Sequence, residues 1–345
     1  MRQIKAPGAA QVDAMTDAMV DERHARYQAW LRWGQRFLLA TFCVLVAWML
    51  FRLSKNLDWA DVAHTLTSFS NTTLLLGVAA ALASYFVYAG FDVLGRHYTG
   101  HHLPVRQVIP VAFVCYAFNL NLGAWVGGVA LRYRLYSRLG LDIATITRVL
   151  TFSLITNWLG YVLLAGTLFS LRLVQLPDSW TLSATGLQWL GFALTATGIG
   201  YLLACRFSRR REWCIRDHDI ILPTWRIALV QAGLGAMNWL LMAAVLNLLL
   251  PHSATYPSVL GVLLIGCIAG AISHIPAGLG VLETVFIALL QHQLAQGTLM
   301  AALIGYRALY FLLPLAIALI VYLLLEKSAK KLARRNDTIL LQQAK

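Results

Sequence analysis

Apolar residues gather into long runs near positions 34–53, 73–95, 144–170, 185–205, 224–250 and 298–325. Each is long enough for a helix across a bilayer, which takes about 20 residues. Two further stretches, 107–131 and 256–295, are also apolar but interrupted. The first contains "NLNLGAWVGG", which sets Asn119, Asn121, Gly123, Gly127 and Gly128 where an unbroken helix would carry leucine. The second contains "ISHIPAGLGVLE" (272–283). Pro276 removes a backbone donor and disfavours helix at Ile275. Gly278 and Gly280 permit tight turns and close approach. A new helix is predicted to begin between Leu279 and Leu282. The pattern predicts an all-α, polytopic helical membrane protein.

Composition supports that class. Of 345 residues, 59% are hydrophobic and 12% charged, about half the charged share of a soluble domain. Mean hydropathy is +0.65. A soluble core would not hide that much apolar surface, so lipid must be part of the solvent. The first thirty residues are polar and lack the short apolar core of a cleaved signal peptide, so the first span is expected to target the chain. Cys43, Cys115, Cys205, Cys214 and Cys267 have no CxxC spacing and read as small buried hydrophobes, with neither a disulfide framework nor a zinc site.

Charge then sets a topology. The net charge of +13 lies at the edges of apolar runs, as the preference of basic residues for the cytoplasmic side and for anionic headgroups requires; no nucleic-acid partner is expected. Arg23, Arg26, Arg32 and Arg36, the 96–106 loop, the 132–148 connection, the 206–223 loop and the tail from Lys327 to Arg335 are all assigned to the cytoplasm, and with them both termini. The 52–72, 171–184 and 251–257 connections fall on the other side. Basic loops flank 107–131 on both sides, so this stretch is expected to enter and leave by one face as a re-entrant hairpin. The 256–295 stretch either crosses twice or forms a second hairpin. The totals are six full spans with two hairpins, or eight with one. In the first case a hairpin followed by a span occurs twice with opposite sense, an inverted repeat that would set a site near the midplane. "GGVALR" (127–132) and "GLGVLE" (278–283) share a glycine pair, a hydrophobic step and a terminal charge. The division is a cytoplasmic arm (1–33), in which Trp30 and Trp33 suit a membrane surface, a transmembrane domain (34–325) and a basic cytoplasmic tail (326–345).

Between Arg226 and Glu326 the formal charges are Glu283 and Arg307, of opposite sign. A lone charge at mid-bilayer costs about 2.5–3.5 kcal/mol on insertion scales, so such charges pair or face a cavity. Two readings follow: an ion pair locking the last span to the hairpin, or a site for an anionic or zwitterionic headgroup. The helix start after the break favours an anion. Glu283 fits there as a stabilising first-turn acid, and a phosphate fits there if a proton or Arg307 neutralises Glu283. His274 reads as a structural residue or a proton relay. In "RYRLYSR" (132–138) the arginines and tyrosines suit interfacial anchoring, while Arg132, abutting the hairpin, suits a grip on phosphate. Asn157 and Asn238 are either interhelical glue or cavity lining. "HYTGHH" (97–102) lacks a tight metal-ligand spacing and reads as loop histidines. No nucleophile–base set, nucleotide loop or metal cluster is legible, so neither an enzyme nor a cofactor is expected.

The segments "CYAFNLNLGAWVGGVALRYRLYSRLG" (115–140), "TRVLTFSLITNWLGYVLLAG" (147–166), "HIPAGLGVLETVFIALL" (274–290) and "AALIGYRALYFLLPL" (301–315) resemble the transmembrane region of lysylphosphatidylglycerol synthases. The resemblance runs from about residue 34 to 335. It implies a flippase-like membrane module, one taken in the two-part proteins to translocate the aminoacylated lipid that a soluble synthase domain makes. Some twenty residues follow the last span here, so lysyl transfer is not expected. The resemblance also implies that Glu283 and Arg307 lie in the substrate path.

The expected function is therefore a lipid translocase of the bacterial inner membrane. Glu283 and Arg307 would hold or gate an anionic or zwitterionic headgroup, and Arg132 would collect it at the cytoplasmic face. His274, Asn157, Asn119 and Asn121 are the further candidates along the path. Without a nucleotide motif, the drive would be a gradient, a proton or plain equilibration. A secondary transporter of a small solute and a non-transporting scaffold for a lipid-synthesis enzyme are the alternatives.

Overall fold

The computed structural model describes residues 59–174, 184–208, 212–215, 218–251, 253–273, 275 and 278–327. The arm, the 34–53 run, His274, Pro276 and the tail beyond 327 lie outside the described residues.

The elements in chain order are α1 (Trp59–Ser68), α2 (Asn71–Thr99), α3 (Val105–Leu122), a π-helical turn (Ala124–Ala130), α4 (Leu131–Arg138), α5 (Ile143–Ser170), α6 (Ala184–Phe207), β1 (Glu212–Ile215), β2 (His218–Ile221), α7 (Trp225–Leu249), α8 (Tyr256–Ser273), α9 (Val281–Leu290) and α10 (Gln296–Lys327). Residues Arg307–Leu312 of α10 are π-helical. Helix starts follow from capping. Ser70, Asp142 and Thr224 accept from the backbone N–H three residues on, at 3.1, 3.0 and 3.5 Å, and open α2, α5 and α7. Two elements fall where only connections were expected. Helix α1 lies in the 52–72 connection and packs along the first turns of α10. The β1–β2 hairpin, antiparallel with Trp213 opposite Ile220, lies in the basic 206–223 loop.

Seven helices (α2, α3, α5, α6, α7, α8 and α10) are long and apolar enough to cross a membrane. Two of them, α3 and α8, are each followed by a segment that folds back on the helix just left. After α3, Gly123 adopts a positive φ of 87°, and the π turn folds onto the helix just left. A Cβ on Gly127 would stand 2.1 Å from the carbonyl carbon of Phe118, and one on Gly128 would stand 2.8 Å from Oδ1 of Asn119. Only glycine lets the two backbones approach this closely. Helix α4 then returns to Asp92, near the end of α2. In the second stretch α9 runs back along α8: a Cβ on Gly270 would meet Cα of Gly278 at 3.5 Å, and one on Gly266 would meet Leu282 at 2.7 Å.

The hairpins enter from opposite faces. On one face Tyr98 donates to the carbonyl of Ile221, and Arg138 pairs with Glu326 at the end of α10. These contacts link the 96–106 loop to the 206–223 loop and the 132–138 helix to the last turns of α10. The α3–α4 hairpin begins and ends there. On the other face Gln188 donates to the carbonyl of Ser170 at 3.0 Å, and Val174 packs against Gly261 of α8. The α8–α9 hairpin begins there. The described residues thus hold five full spans (α2, α5, α6, α7, α10) and two opposed hairpins. Two hairpins are what the six-span alternative expects; its remaining span, the 34–53 run, lies outside the described residues.

Small residues set the α5–α7 crossing. A Cβ on Gly160 of α5 would stand 2.1 Å from the carbonyl carbon of Gly235 on α7, so the two backbones are in direct contact, as membrane helices without a hydrophobic drive require. Large apolar side chains such as Phe86, Trp189 and Ile320 point outward, as a lipid solvent demands. Polar Ser84, Gln231 and Asn238 are buried.

Candidate functional site

The second hairpin turns on Gly278 and Gly280, with φ of 56° and 78°. Helix α9 starts at Val281, inside the span predicted for it. Its free end is filled by its own side chain: the Glu283 carboxylate accepts from the Gly280 N–H at 2.8 Å. Arg307 donates to the same carboxylate from Nε at 2.6 Å and from Nη2 at 3.1 Å, and to the Gly278 carbonyl from Nη2 at 3.2 Å. Its guanidinium also lies 5.4 Å from the centre of the Phe311 ring. The two charges found in the sequence therefore answer each other, and both are largely buried.

The π-helical stretch 307–312 explains how this spot becomes a junction. A π turn widens the helix and frees carbonyls from the regular ladder. The Phe311 carbonyl accepts from Asn121 Nδ2 at 3.3 Å, and the Tyr310 carbonyl accepts from the Tyr85 hydroxyl at 3.1 Å. Asn121 sits at the tip of the first hairpin and also donates to Ala117 at 2.8 Å. Both hairpin tips thus dock on the same turns of α10, one at Arg307 and the other at Phe311. The tips also present apolar side chains outward: Trp125 is 81% exposed and Ile272 73%. Asn119 closes the first tip, its carbonyl accepting from Gly123 N–H at 3.0 Å.

A buried polar network lies behind the junction, and sequence reasoning identified only one of its members. Ser84 Oγ donates to Asn238 Oδ1 at 2.8 Å and meets the Tyr310 hydroxyl at 2.6 Å. The Tyr116 hydroxyl joins Tyr310 at 3.0 Å and accepts from Asn238 at 3.3 Å. Asn238 is therefore interhelical glue, tying α2, α3, α7 and α10. Asn157 stands apart from the junction; its backbone carbonyl accepts from the Trp239 indole at 3.1 Å.

Arg132 also stands apart from the junction. It is 2% exposed, and its Nη2 meets Asp92 Oδ1 at 2.9 Å. Tyr136 donates to the other oxygen of Asp92 at 2.8 Å. The "RYRLYSR" segment therefore divides: Arg134 and Arg138 reach Glu326 near the surface, whereas Arg132 turns into the protein. Asp92 escaped the sequence reading, although it is the single acidic residue between Asn71 and Thr99. That isolation was the available signal. Of the loop histidines, His97 and His102 are exposed and His101 is half-buried. Burial, helped by Arg96, holds His101 below the usual histidine range.

A helical membrane protein with two re-entrant hairpins meeting at one bulged span is the class these features define. The chain belongs to the lysylphosphatidylglycerol synthase transmembrane-region family, whose model matches residues 37–318. It is 47% identical over 309 residues to the inner membrane protein YbhN of Escherichia coli, covering 89% of this chain and 97% of that protein. It is 31% identical to the protein slr0712 of Synechocystis, over 75% of this chain and 81% of the relative. A more distant relative is the phosphatidylglycerol lysyltransferase of Staphylococcus aureus, 21% identical over 82% of this chain but only 33% of that longer protein.

Proposed function

We propose that the protein is a lipid translocase of a bacterial inner membrane, with its basic face cytoplasmic, moving an anionic or zwitterionic headgroup through the junction of the two hairpins. The observation that carries this reading is the docking of both hairpin tips on residues 307–312 of α10, one through Arg307 and the other through Phe311. The described structure has the junction closed. Glu283 occupies the N–H of Gly280 and the guanidinium of Arg307, the donors an incoming phosphate would use. Opening is then an exchange of one anion for another on the same donors, without stranding Arg307 in a low-dielectric interior. The acyl tails would stay in lipid, past the outward-facing Leu122, Trp125 and Ile272. The YbhN relative is named as an inner membrane protein and the lysyltransferase is named for phosphatidylglycerol; both names fit this reading.

The mutual satisfaction of Glu283 and Arg307 also favours a second reading, in which the pair is a permanent lock in a scaffold for a lipid-synthesis enzyme. Liposomes containing the purified protein separate the two readings. Phosphatidylglycerol, phosphatidylethanolamine and a polyisoprenyl phosphate, each labelled, would be followed from one leaflet to the other. Accelerated movement of one of them supports the translocase and names its headgroup class. No acceleration of any, with folded protein and with a proton gradient applied, favours the scaffold.

A further inference from the structure

We propose that Arg172 is a binding site for the phosphate of an anionic phospholipid, on the face opposite the basic segments, where α5 gives way to α6. The site stands apart from the Glu283–Arg307 junction and does not depend on the translocase reading: a protein that moved no lipid would still hold one here.

Helix α5 closes on a left-handed cap. The Arg172 N–H donates to the Phe169 carbonyl at 3.2 Å, and the Leu173 N–H donates to the Leu168 carbonyl at 3.0 Å. Glycine ordinarily fills the left-handed position of such a cap, because an L side chain there crowds the following carbonyl. Here it is arginine, with a φ of 53°, the one non-glycine residue of positive φ among the described residues. Topology does not ask for it either. The described segments of this face (59–72, 170–174, 184–190, 249–251, 253–256 and 290–296) contain no other lysine or arginine, since basic residues prefer the opposite side. A residue disfavoured by both backbone and topology points to a use for its side chain.

That side chain is oriented. Arg172 Nε donates to Gln188 Oε1 at 2.9 Å, and Gln188 is fixed in turn by donating from Nε2 to the Ser170 carbonyl at 3.0 Å. The guanidinium is thus held by one nitrogen. Its two Nη groups have no hydrogen-bond partner and no carboxylate among the described residues, and the residue is exposed. An open guanidinium fork accommodates two oxygens of one phosphate, and the absence of a neutralising acid favours a ligand of net negative charge. The surroundings favour lipid over free phosphate. Leu171 and Leu173 beside it are exposed, as are Trp189 and Phe192 of α6, whose rings meet edge to face at 5.9 Å. A cation bordered by aliphatic and aromatic side chains, at the ends of two membrane-spanning helices, matches a headgroup and its acyl chain together.

The full-length protein in detergent would be titrated separately with phosphatidylglycerol, phosphatidylcholine and inorganic phosphate. Bound ligand would be counted by native mass spectrometry, and the thermal unfolding midpoint read on the same samples. Arg172→Gly should raise the midpoint, because the left-handed strain is relieved, and yet lose one bound phosphatidylglycerol, that site weakening about tenfold. Loss of a merely structural arginine would not divide the two readouts in this way. Arg172→Lys keeps the charge and the strain but lacks the planar fork, and should bind phosphatidylglycerol about threefold more weakly than wild type. Wild-type binding in Arg172→Gly would overturn the site, as would an absence of bound phosphatidylglycerol in wild type. A loss of lipid accompanied by a fall in the midpoint would assign Arg172 to the packing of α5 on α6 and overturn it too. Wild-type affinity in Arg172→Lys would overturn the oriented fork. Phosphatidylcholine or inorganic phosphate bound at Arg172 as tightly as phosphatidylglycerol would overturn the anionic-lipid assignment. Failure of lipid movement in liposomes would remove the translocase and leave this site standing.

Discussion

Arg307 grips Glu283 through two nitrogens, at 2.6 and 3.1 Å, from a helix 24 residues further along the chain. The same carboxylate caps the helix on which it sits. A single side chain thus neutralises a charge, closes a helix end and joins a hairpin to a span. Glu283→Ala should remove all three and leave Arg307 largely buried without a counter-ion. The expected loss is about 3–5 kcal/mol, read as a clear fall in the thermal unfolding midpoint of the purified protein. Glu283→Gln with Arg307→Gln should recover much of it, because neither uncompensated charge remains. An unchanged midpoint in Glu283→Ala would mean the pair contributes little to folding.

The α5–α7 crossing gives a second test. Gly160→Ala drives a methyl group to 2.1 Å from a carbonyl carbon, and the helices must separate or bend. A destabilisation of about 1–3 kcal/mol is expected, as for overpacking elsewhere. A Cβ on Gly200 would meet nothing within 4 Å, so Gly200→Ala is the matched control and should hold the midpoint or raise it slightly, alanine being the better helix former.

The buried network behind the junction should behave as a unit. Ser84→Ala and Tyr310→Phe each remove one partner of the 2.6 Å contact, and each should cost about 1 kcal/mol. Together they should cost measurably less than the sum, since the second change removes a partner the first has already lost. Additivity in a double-mutant cycle would show that the two hydroxyls do not interact.

Much of this arrangement was readable because the membrane constrains it. Apolar run length gave the spans, and the basic loops on both sides of 107–131 required a hairpin. Glycines at 127, 128, 278 and 280 marked the turns, and Glu283 and Arg307 stood out as isolated charges of opposite sign. What stayed hidden depends on which faces meet. Tyr116 and Tyr310 look like ordinary apolar-run tyrosines until two helices bring their hydroxyls together. Asp92 and Arg132 are 40 residues apart, and Arg132 lies among interfacial arginines from which sequence alone does not separate it. A second hairpin is favoured by the ten-residue length of α9, too short to cross a bilayer, and by the docking of Gly278 on Arg307 within α10, neither of which charge counting reveals.

Orientation can be tested residue by residue. Single cysteines at His102 and Ser137 mark the basic face, and cysteines at Leu171 and Gln291 mark the other. In intact cells a membrane-impermeant maleimide should label Leu171→Cys and Gln291→Cys but reach His102→Cys and Ser137→Cys only after permeabilisation. Since Ser137 and Gln291 lie at the ends of the two hairpins, labelling of both from one side would refute their opposed entry.

The most direct test of the translocase is lipid movement by the paired neutral variant Glu283→Gln/Arg307→Gln, in liposomes with the lipid that wild type moves. This variant keeps the side-chain shapes and leaves no stranded charge. The translocase account expects it to be folded, with an unfolding midpoint near wild type, and to move lipid no faster than protein-free liposomes. Movement at the wild-type rate would show that Glu283 and Arg307 are packing alone and that the headgroup does not pass between them.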